Sequence, residues 1–332
     1  MNEERAQIIT KTTLKIAIFL MATMAIFIFF ASIVTGYEEI VTCFLRKYDK
    51  LHQIDQFKQY YLTKTRFHLI QSAIAAVIII LLFVLVKIEK VSRVVAGGVL
   101  KLWAGISDLY LDIKLTLKEL PTKYKAVGLA LLVISLITKL YYIAQFPLTE
   151  DEVFSYVYLV EKGLGVSAVY YPGPNNHILY SLSCVFIDIF VDNPRWIMRL
   201  PALLASLCLP LLFFYFAAKL TDRGVAFLAS ALSLFSAHIL HYSFHGRGYI
   251  YIILFTVIAL FSVILYLKAR QNRWLVLSGV SSVLGFYTIP IFLYPFVSVY
   301  FYLFIVVLLK KDFKELRKVI FVIALIAFFT GL

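Results

Sequence analysis

The sequence predicts an all-α, polytopic transmembrane helix bundle, and three observations carry that prediction. Of 332 residues, 62% are apolar and 15% charged, against about 45–50% and about 25% in a soluble domain, whose interior could not hide the difference. Phe and Tyr number 29 and 22 while Gly and Pro number 14 and 9, which excludes collagen-like, low-complexity and disordered classes. Apolar runs of about 20 residues, the length that carries a helix across roughly 30 Å of hydrocarbon with its backbone paired internally, recur along the chain.

About nine spans are expected, near 14–35, 68–88, 125–146, 200–218, 224–243, 249–267, 274–290, 291–309 and from 319 onward. The last run holds 14 residues before Leu332, too few to cross, so the chain is expected to be truncated inside a helix. The first run exceeds the roughly 7–15 apolar residues of a signal core and reads as an anchor. Residues 1–120 form an N-terminal two-span module with a basic cytoplasmic stretch, and residues 125–332 form a core bundle with an external loop over 147–199.

The formal net charge of +13 would suit a nucleic-acid partner. Its distribution suits short inside loops better, so no nucleic acid is expected. The stretch His177 to Asp192 decides the orientation. If it does not span, ten Lys and Arg between Lys219 and Lys318 lie inside, against Arg195, Arg199 and Arg247 outside; if it spans, the ratio inverts. It therefore reads as an amphipathic interfacial helix on the outer side, with His177, Ser181, Cys184, Asp188 and Asp192 on one stripe. The segment Lys87 to Lys125 carries eight Lys or Arg and reads as cytoplasmic, with a surface helix around Leu100 to Ile113. The loop Gly36 to Phe67 then falls outside despite its six basic residues. Cys43, Cys184 and Cys208 offer neither a disulfide framework nor a zinc spacing and read as small core residues.

Polar residues gather in two external patches. The first opens FPLTEDEVFSYVYLVEKG. Thr149 and Glu152 fit a capping box, and acids in a first turn complement the helix dipole. Alternatively, a fixed carboxylate there serves as a general base for a hydroxyl; Glu152 can hold the turn while Asp151 points into the site. YYPGPNNHILYSL follows, where Asn175, Asn176 and His177 suit either a helix start or sugar hydroxyls. PRWIMRLPALLASL places Arg195 and Arg199 at the outer end of a span; Arg195 reads as snorkelling to headgroups. The second patch is SAHILHYSFHGRGYIYIILF. His238, His241 and His245, spaced three and four, fit a metal-binding face or the polar mouth of a helix, and with no local carboxylate the polar mouth is expected. Arg247, between two glycines that admit close backbone approach, suits a phosphate or a lipid headgroup. Lys139, inside the third span, is either functional or snorkels outward. No phosphate-cradling glycine loop or nucleotide-binding α/β unit is present, so any activated substrate should come from the membrane.

The order of these features (a span, the Asp151-Glu152 pair, an amphipathic helix, a Pro-containing polar turn, RLPALLA at a helix start, a short basic turn, then Arg247-Gly248-Tyr249 before the next span) resembles the GT-C membrane glycosyltransferases. The closest types are the protein O-mannosyltransferases, the aminoarabinose transferases and the rhizobial lipopolysaccharide sugar transferases. The resemblance covers roughly residues 125–300. It implies sugar transfer from a polyprenyl-phosphate donor to a lipid, glycan or protein acceptor hydroxyl by an inverting displacement, with the site facing outward from a bacterial inner membrane. It implies Asp151 as catalytic base, Glu152 as its neighbour in the site, and Arg199 and the Arg247–Tyr249 turn near the donor phosphate; to these the residues themselves add Asn176 and His177 for sugar hydroxyls and His245 beside the leaving phosphate. Some relatives carry a Lys in the Pro turn and a second Asp after the R-x-Y, which this chain lacks. Neither a metal nor another cofactor is expected. A transporter or flippase for a lipid-linked sugar is the alternative; it would place polar residues near the midplane of several spans.

Overall fold

A computed structural model describes residues 3–47, 54–171 and 176–331. Among these every regular element is helical: α1 (Glu3–Lys47), α2 (Ile54–Gln56), α3 (Lys64–Val86), α4 (Ile88–Lys118), α5 (Thr122–Gln145), α6 (Glu150–Ser155), α7 (Leu164–Val169), α8 (Ile178–Asp188), α9 (Pro194–Leu220), α10 (Arg223–Phe235), α11 (Ala237–Phe244), α12 (Tyr249–Ala269), α13 (Asn272–Thr288), α14 (Leu293–Leu309) and α15 (Phe313–Thr330). Among the described residues six helices are long and apolar enough to cross a membrane, and seven if the pair α10 and α11, bent by 51°, counts as one broken span. The other two of the nine expected runs are helical as well: α13 has 17 residues, at the short end of what a crossing needs, and α15 carries Lys314, Glu315, Arg317 and Lys318 in its first turns.

The chain divides into two compact units, Met1–Tyr110 and Leu111–Leu332. In the first, α1 packs along α3, and Gln71 donates to Ser32 at 3.1 Å. The expected loop after residue 35 is instead helix as far as Lys47, broken at Gly36, whose φ of 74° and ψ of 167° are non-helical. The expected surface helix near residues 100–113 falls within the longer α4.

The second unit is built around α9. Pro201 and Pro210 lie inside this helix without ending it, and its face carrying Ile197, Ala202, Ala205 and Leu209 is fully or nearly buried. α5, α8, α10, α11 and α12 pack on it, while α13 packs on α12 and α15 on α13. The basic turns meet at one end: Lys268 Nζ donates to the Lys219 carbonyl at 3.0 Å, and Lys318 Nζ to Asn272 Oδ1 at 3.2 Å. The end of α5 and the starts of α9 and α12 lie at the other.

α8 spans 11 residues, about 16 Å at 1.5 Å per residue, half the hydrocarbon thickness. The first half of its polar stripe turns inward: His177, Ser181 and Cys184 are buried in the bundle, Asp188 is half-buried and Asp192, past the helix end, is exposed, as are Phe186, Ile189 and Phe190. Where the surrounding solvent is hydrocarbon, polar groups gain by turning inward to find partners. Of the cysteines only Cys184 is in the core; Cys43 and Cys208 are exposed. Lys139 is fully buried rather than snorkelled, and its Nζ has no hydrogen-bond partner among the described residues.

Candidate functional site

The site is built where α5 ends, α6 begins, α9 begins and α11 passes into α12. Thr149 caps α6 through a complete capping box. Its side chain accepts from the Glu152 N–H, and the Thr149 N–H donates to Glu152 Oε2 at 2.8 Å. The cap accounts for only part of Glu152. Arg199 Nε donates to Oε1 and Nη2 to Oε2, both at 2.8 Å, and the Gly246 N–H reaches Oε1 at 2.6 Å. Arg199 and Glu152 are 1% and 0% exposed, so the pair lies in a low dielectric where an unmatched charge would be costly.

The remaining Arg199 donors close the end of α5: Nη1 donates to the carbonyls of Ile143 and Phe146, and Nη2 to that of Pro147. All five guanidinium N–H groups are thereby engaged. Arg195, one turn earlier, donates to the Ala144 carbonyl. Two arginines on one face of α9 thus satisfy the carbonyls that the end of α5 leaves open. Glu152 is held below the usual carboxylate range: burial pushes it up, and the Arg199 fork with the Thr149 and Gly246 amides outweighs that.

This frame brings the acidic turn to the arginine turn. Asp151 Oδ2 lies 3.3 Å from Arg247 Nη1, with Asp151 57% exposed and Arg247 5% exposed. Arg247 Nη2 is 3.2 Å from His177 Nε2, and the Gly248 N–H donates to His177 Nδ1 at 2.7 Å. A ring nitrogen that accepts carries no hydrogen, so the neutral imidazole carries its proton on Nε2, beside the guanidinium. Burial first, then the Arg247 charge, push the His177 pKa down to about 3, which keeps the ring neutral. Tyr249 meets the His177 ring edge-on at 5.3 Å and lies 5.9 Å from the Arg247 guanidinium carbon.

The two glycines flanking Arg247 admit close approach, and what approaches is protein. A Cβ on Gly246 would lie 2.7 Å from Glu152 Oε1 and 2.9 Å from the Met198 carbonyl; one on Gly248 would lie 2.6 Å from Thr288 Cγ2 and 3.0 Å from His177 Nδ1. Asn176 is buried with its amide spent: Nδ2 donates to the carbonyls of Ser167 and Tyr170, and Oδ1 accepts from Ser181. Asn175 and the Pro/Gly turn lie outside the described residues. His245 is half-buried and packs against His241 at 5.0 Å between centroids. Burial lowers its pKa, with Glu152 opposing and His241, Arg199 and Arg247 lowering it further. His238, by contrast, is exposed.

Asp151, His177, Arg247 and Tyr249 therefore share one locus, with Glu152 and Arg199 beneath it. The sequence marks the Thr149 cap and the two glycines bracketing Arg247; what it does not show is that the Gly246 N–H binds Glu152 and the Gly248 N–H binds His177.

No curated protein and no solved structure matched the chain. A family match begins at Tyr180 and so includes Arg199, His245, Arg247 and Tyr249 but not Asp151, Glu152, Asn176 or His177; the Glu152–Arg199 and Asp151–Arg247 contacts tie that preceding segment to it. Over residues 180–331 the chain matches the dolichyl-phosphate-mannose-protein mannosyltransferase family, membrane glycosyltransferases of the GT-C type.

Proposed function

We propose that the protein moves a sugar from a polyprenyl-phosphate donor to an acceptor hydroxyl at the outer membrane face, with Asp151 as the base. The family match points to a membrane glycosyltransferase with a lipid-linked donor. The observation that carries the finer reading is the 3.3 Å approach of an accessible carboxylate, Asp151, to a buried guanidinium, Arg247. Acid–base work needs a carboxylate that substrate can reach, and leaving-group stabilisation needs a cation held in a low dielectric.

In the proposed reaction the acceptor O–H gives its proton to Asp151 as its oxygen bonds to the anomeric carbon. The bond from that carbon to the phosphate oxygen breaks, and its electron pair leaves with the polyprenyl phosphate. Arg247 and the His177 Nε2–H, converging 3.2 Å apart, offer two adjacent donors to the oxyanion that forms. One displacement inverts the anomeric centre. Glu152 and Arg199 act as positioning residues, because their hydrogen-bonding groups are spent on each other and on the backbone; Asn176 acts likewise on the chain before α8. The outward orientation is supported by the basic turns gathering at the opposite end of the bundle.

The test is transfer from labelled polyprenyl-phosphate sugars in vesicles, wild type beside Asp151→Asn. Loss of about 10²–10⁴-fold in turnover is expected, and equal turnover would remove the base. The break at Ser236 and the buried Lys139 are the features a flippase would use; movement of the labelled lipid without transfer would favour that alternative. Labelling of Glu150→Cys by an impermeant thiol reagent, in a background lacking Cys43 and Cys208, reads the orientation.

A further inference from the structure

At the end of the second unit away from the candidate site, α5, α9 and α10 enclose a cavity of about 520 Å³, within the roughly 300–1,000 Å³ of small-molecule sites. Its wall is almost entirely apolar, formed by Leu132, Pro210, Phe214, Phe227 and Leu234. The space exists because small residues, Gly128 on α5 and Ser230 and Ala231 on α10, face it. An apolar space of this size facing hydrocarbon is not a seat for water, which needs two to four polar partners.

Its mouth has the opposite character. Lys114, Lys118 and Lys125, from the end of α4 and the first turn of α5, line the rim. Lys125 Nζ donates to the Lys118 carbonyl at 2.8 Å, holding these two lysines together at the rim, and Asp112 and Glu119 pair with Lys219 and Arg223, each at 2.6 Å. An apolar slot under a lysine rim at a helix end has the form of a site for a lipid whose chain is apolar and whose headgroup is anionic.

We propose that this cavity binds an anionic membrane phospholipid, with an acyl chain between α5, α9 and α10 and the headgroup phosphate against Lys114, Lys118 and Lys125. The occupant is a phospholipid of the basic leaflet rather than the sugar donor. Lys125 and Gln145 are 20 residues apart on α5, about 30 Å at 1.5 Å per residue, so a phosphate at this rim and one near Arg247 stand on opposite sides of the hydrocarbon.

The experiment is lipid retention by the full chain in detergent, read by native mass spectrometry against phosphatidylglycerol, phosphatidylcholine and glycerol phosphate. Selective retention of phosphatidylglycerol is expected. The exposed pair Lys118→Gln/Lys125→Gln should weaken it about fivefold per lysine, roughly 25-fold together. Ala231→Trp, which fills the slot and leaves the rim, should abolish it with the unfolding midpoint unchanged. Equal retention of phosphatidylcholine, full retention by the double lysine variant, or displacement by polyprenyl phosphate would each overturn the proposal. So would glycerol phosphate binding as well as the whole lipid, since the slot would then contribute nothing. Failure of sugar transfer would leave all these results untouched, so the two readings fail separately.

Discussion

Glu152→Gln removes one charge and changes almost no volume, yet it should be among the most destabilising single substitutions in the second unit. Glu152 accepts from Arg199 Nε and Gly246 N–H on Oε1, and from Arg199 Nη2, Thr149 N–H and Thr149 Oγ1 on Oε2. A glutamine amide accepts on one side only. Whichever way it turns, its NH₂ faces at least two of those donors in a site that is 0% exposed. Two unsatisfied buried donors at about 1–3 kcal/mol each give about 2–6 kcal/mol, in line with the 3–5 kcal/mol for breaking a buried pair. Arg199→Met should cost a similar amount, because it leaves the carboxylate and three carbonyls unmatched. The double variant should fall short of the sum by about 1–3 kcal/mol, since each single variant already destroys the same interaction. Unfolding can be followed by exposure of the buried Cys184 thiol in a background lacking Cys43 and Cys208. A Glu152→Gln protein within about 0.5 kcal/mol of wild type, as for an ordinary surface change, would refute the reasoning.

Four further outcomes follow from the same geometry. The His177 pKa falls to about 3 when folded, against about 6.5 unfolded, so between those values the unfolded chain binds the extra proton; stability is complete above pH 6.5 and falls by up to about 1.4 kcal/mol per unit as pH drops toward 3. His177→Gln should remove one proton from the slope of unfolding free energy against pH. Gly246→Ala should cost about 1–3 kcal/mol by overpacking, whereas Gly165→Ala, with nothing within 4 Å of its Cβ, should be neutral or slightly stabilising in a thermal melt. Asp151→Asn should leave the unfolding midpoint within about 1 kcal/mol of wild type, because a pair with one exposed partner contributes little, while transfer collapses. Arg247→Lys retains the charge but loses the planar fork, and should reduce kcat/KM for the lipid donor while leaving the acceptor KM near wild type.

The helices were legible in the chain because their signals are local. Apolar length marks α3, α5, α9, α12 and α14, and Thr149 with Glu152 marks the cap of α6 correctly. What a local reading misses is how much else one residue does. Glu152 satisfies the capping box and also neutralises Arg199, 47 positions away, and no spacing rule connects them. The stripe on α8 shows the complementary failure. Its period is real, but His177, Ser181 and Cys184 point into the bundle while Asp192 stays exposed, because an amphipathic pattern turns outward in water and inward in lipid and α8 meets both. The break at Ser236 has no proline or glycine to announce it, and Gly36, which does interrupt α1, lies inside what reads as a loop. Orphaned carbonyls at the end of α5 predict a partner of some kind, but only the fold reveals that Arg195 and Arg199 supply it.

These contacts separate two jobs that the sequence places side by side. Adjacent carboxylates on α6 have opposite environments: Asp151 is 57% exposed beside one cation, and Glu152 is fully buried with five donors. A carboxylate so surrounded resists taking a proton, since protonation would cost it the hydrogen bonds that stabilise the anion, and so it is a poor base and a good anchor. Its neighbour Asp151 is 57% exposed, reachable by an acceptor and held in register by a backbone that the anchor has fixed. The capping box links them, because Glu152 cannot leave Arg199 without also releasing Thr149 and reorienting Asp151. The chemistry assigned to Asp151 therefore depends on Glu152 through geometry. A partial loss of the anchor, by Glu152→Gln, should accordingly lower kcat and the unfolding midpoint together, whereas Asp151→Asn should remove turnover and leave the midpoint near wild type.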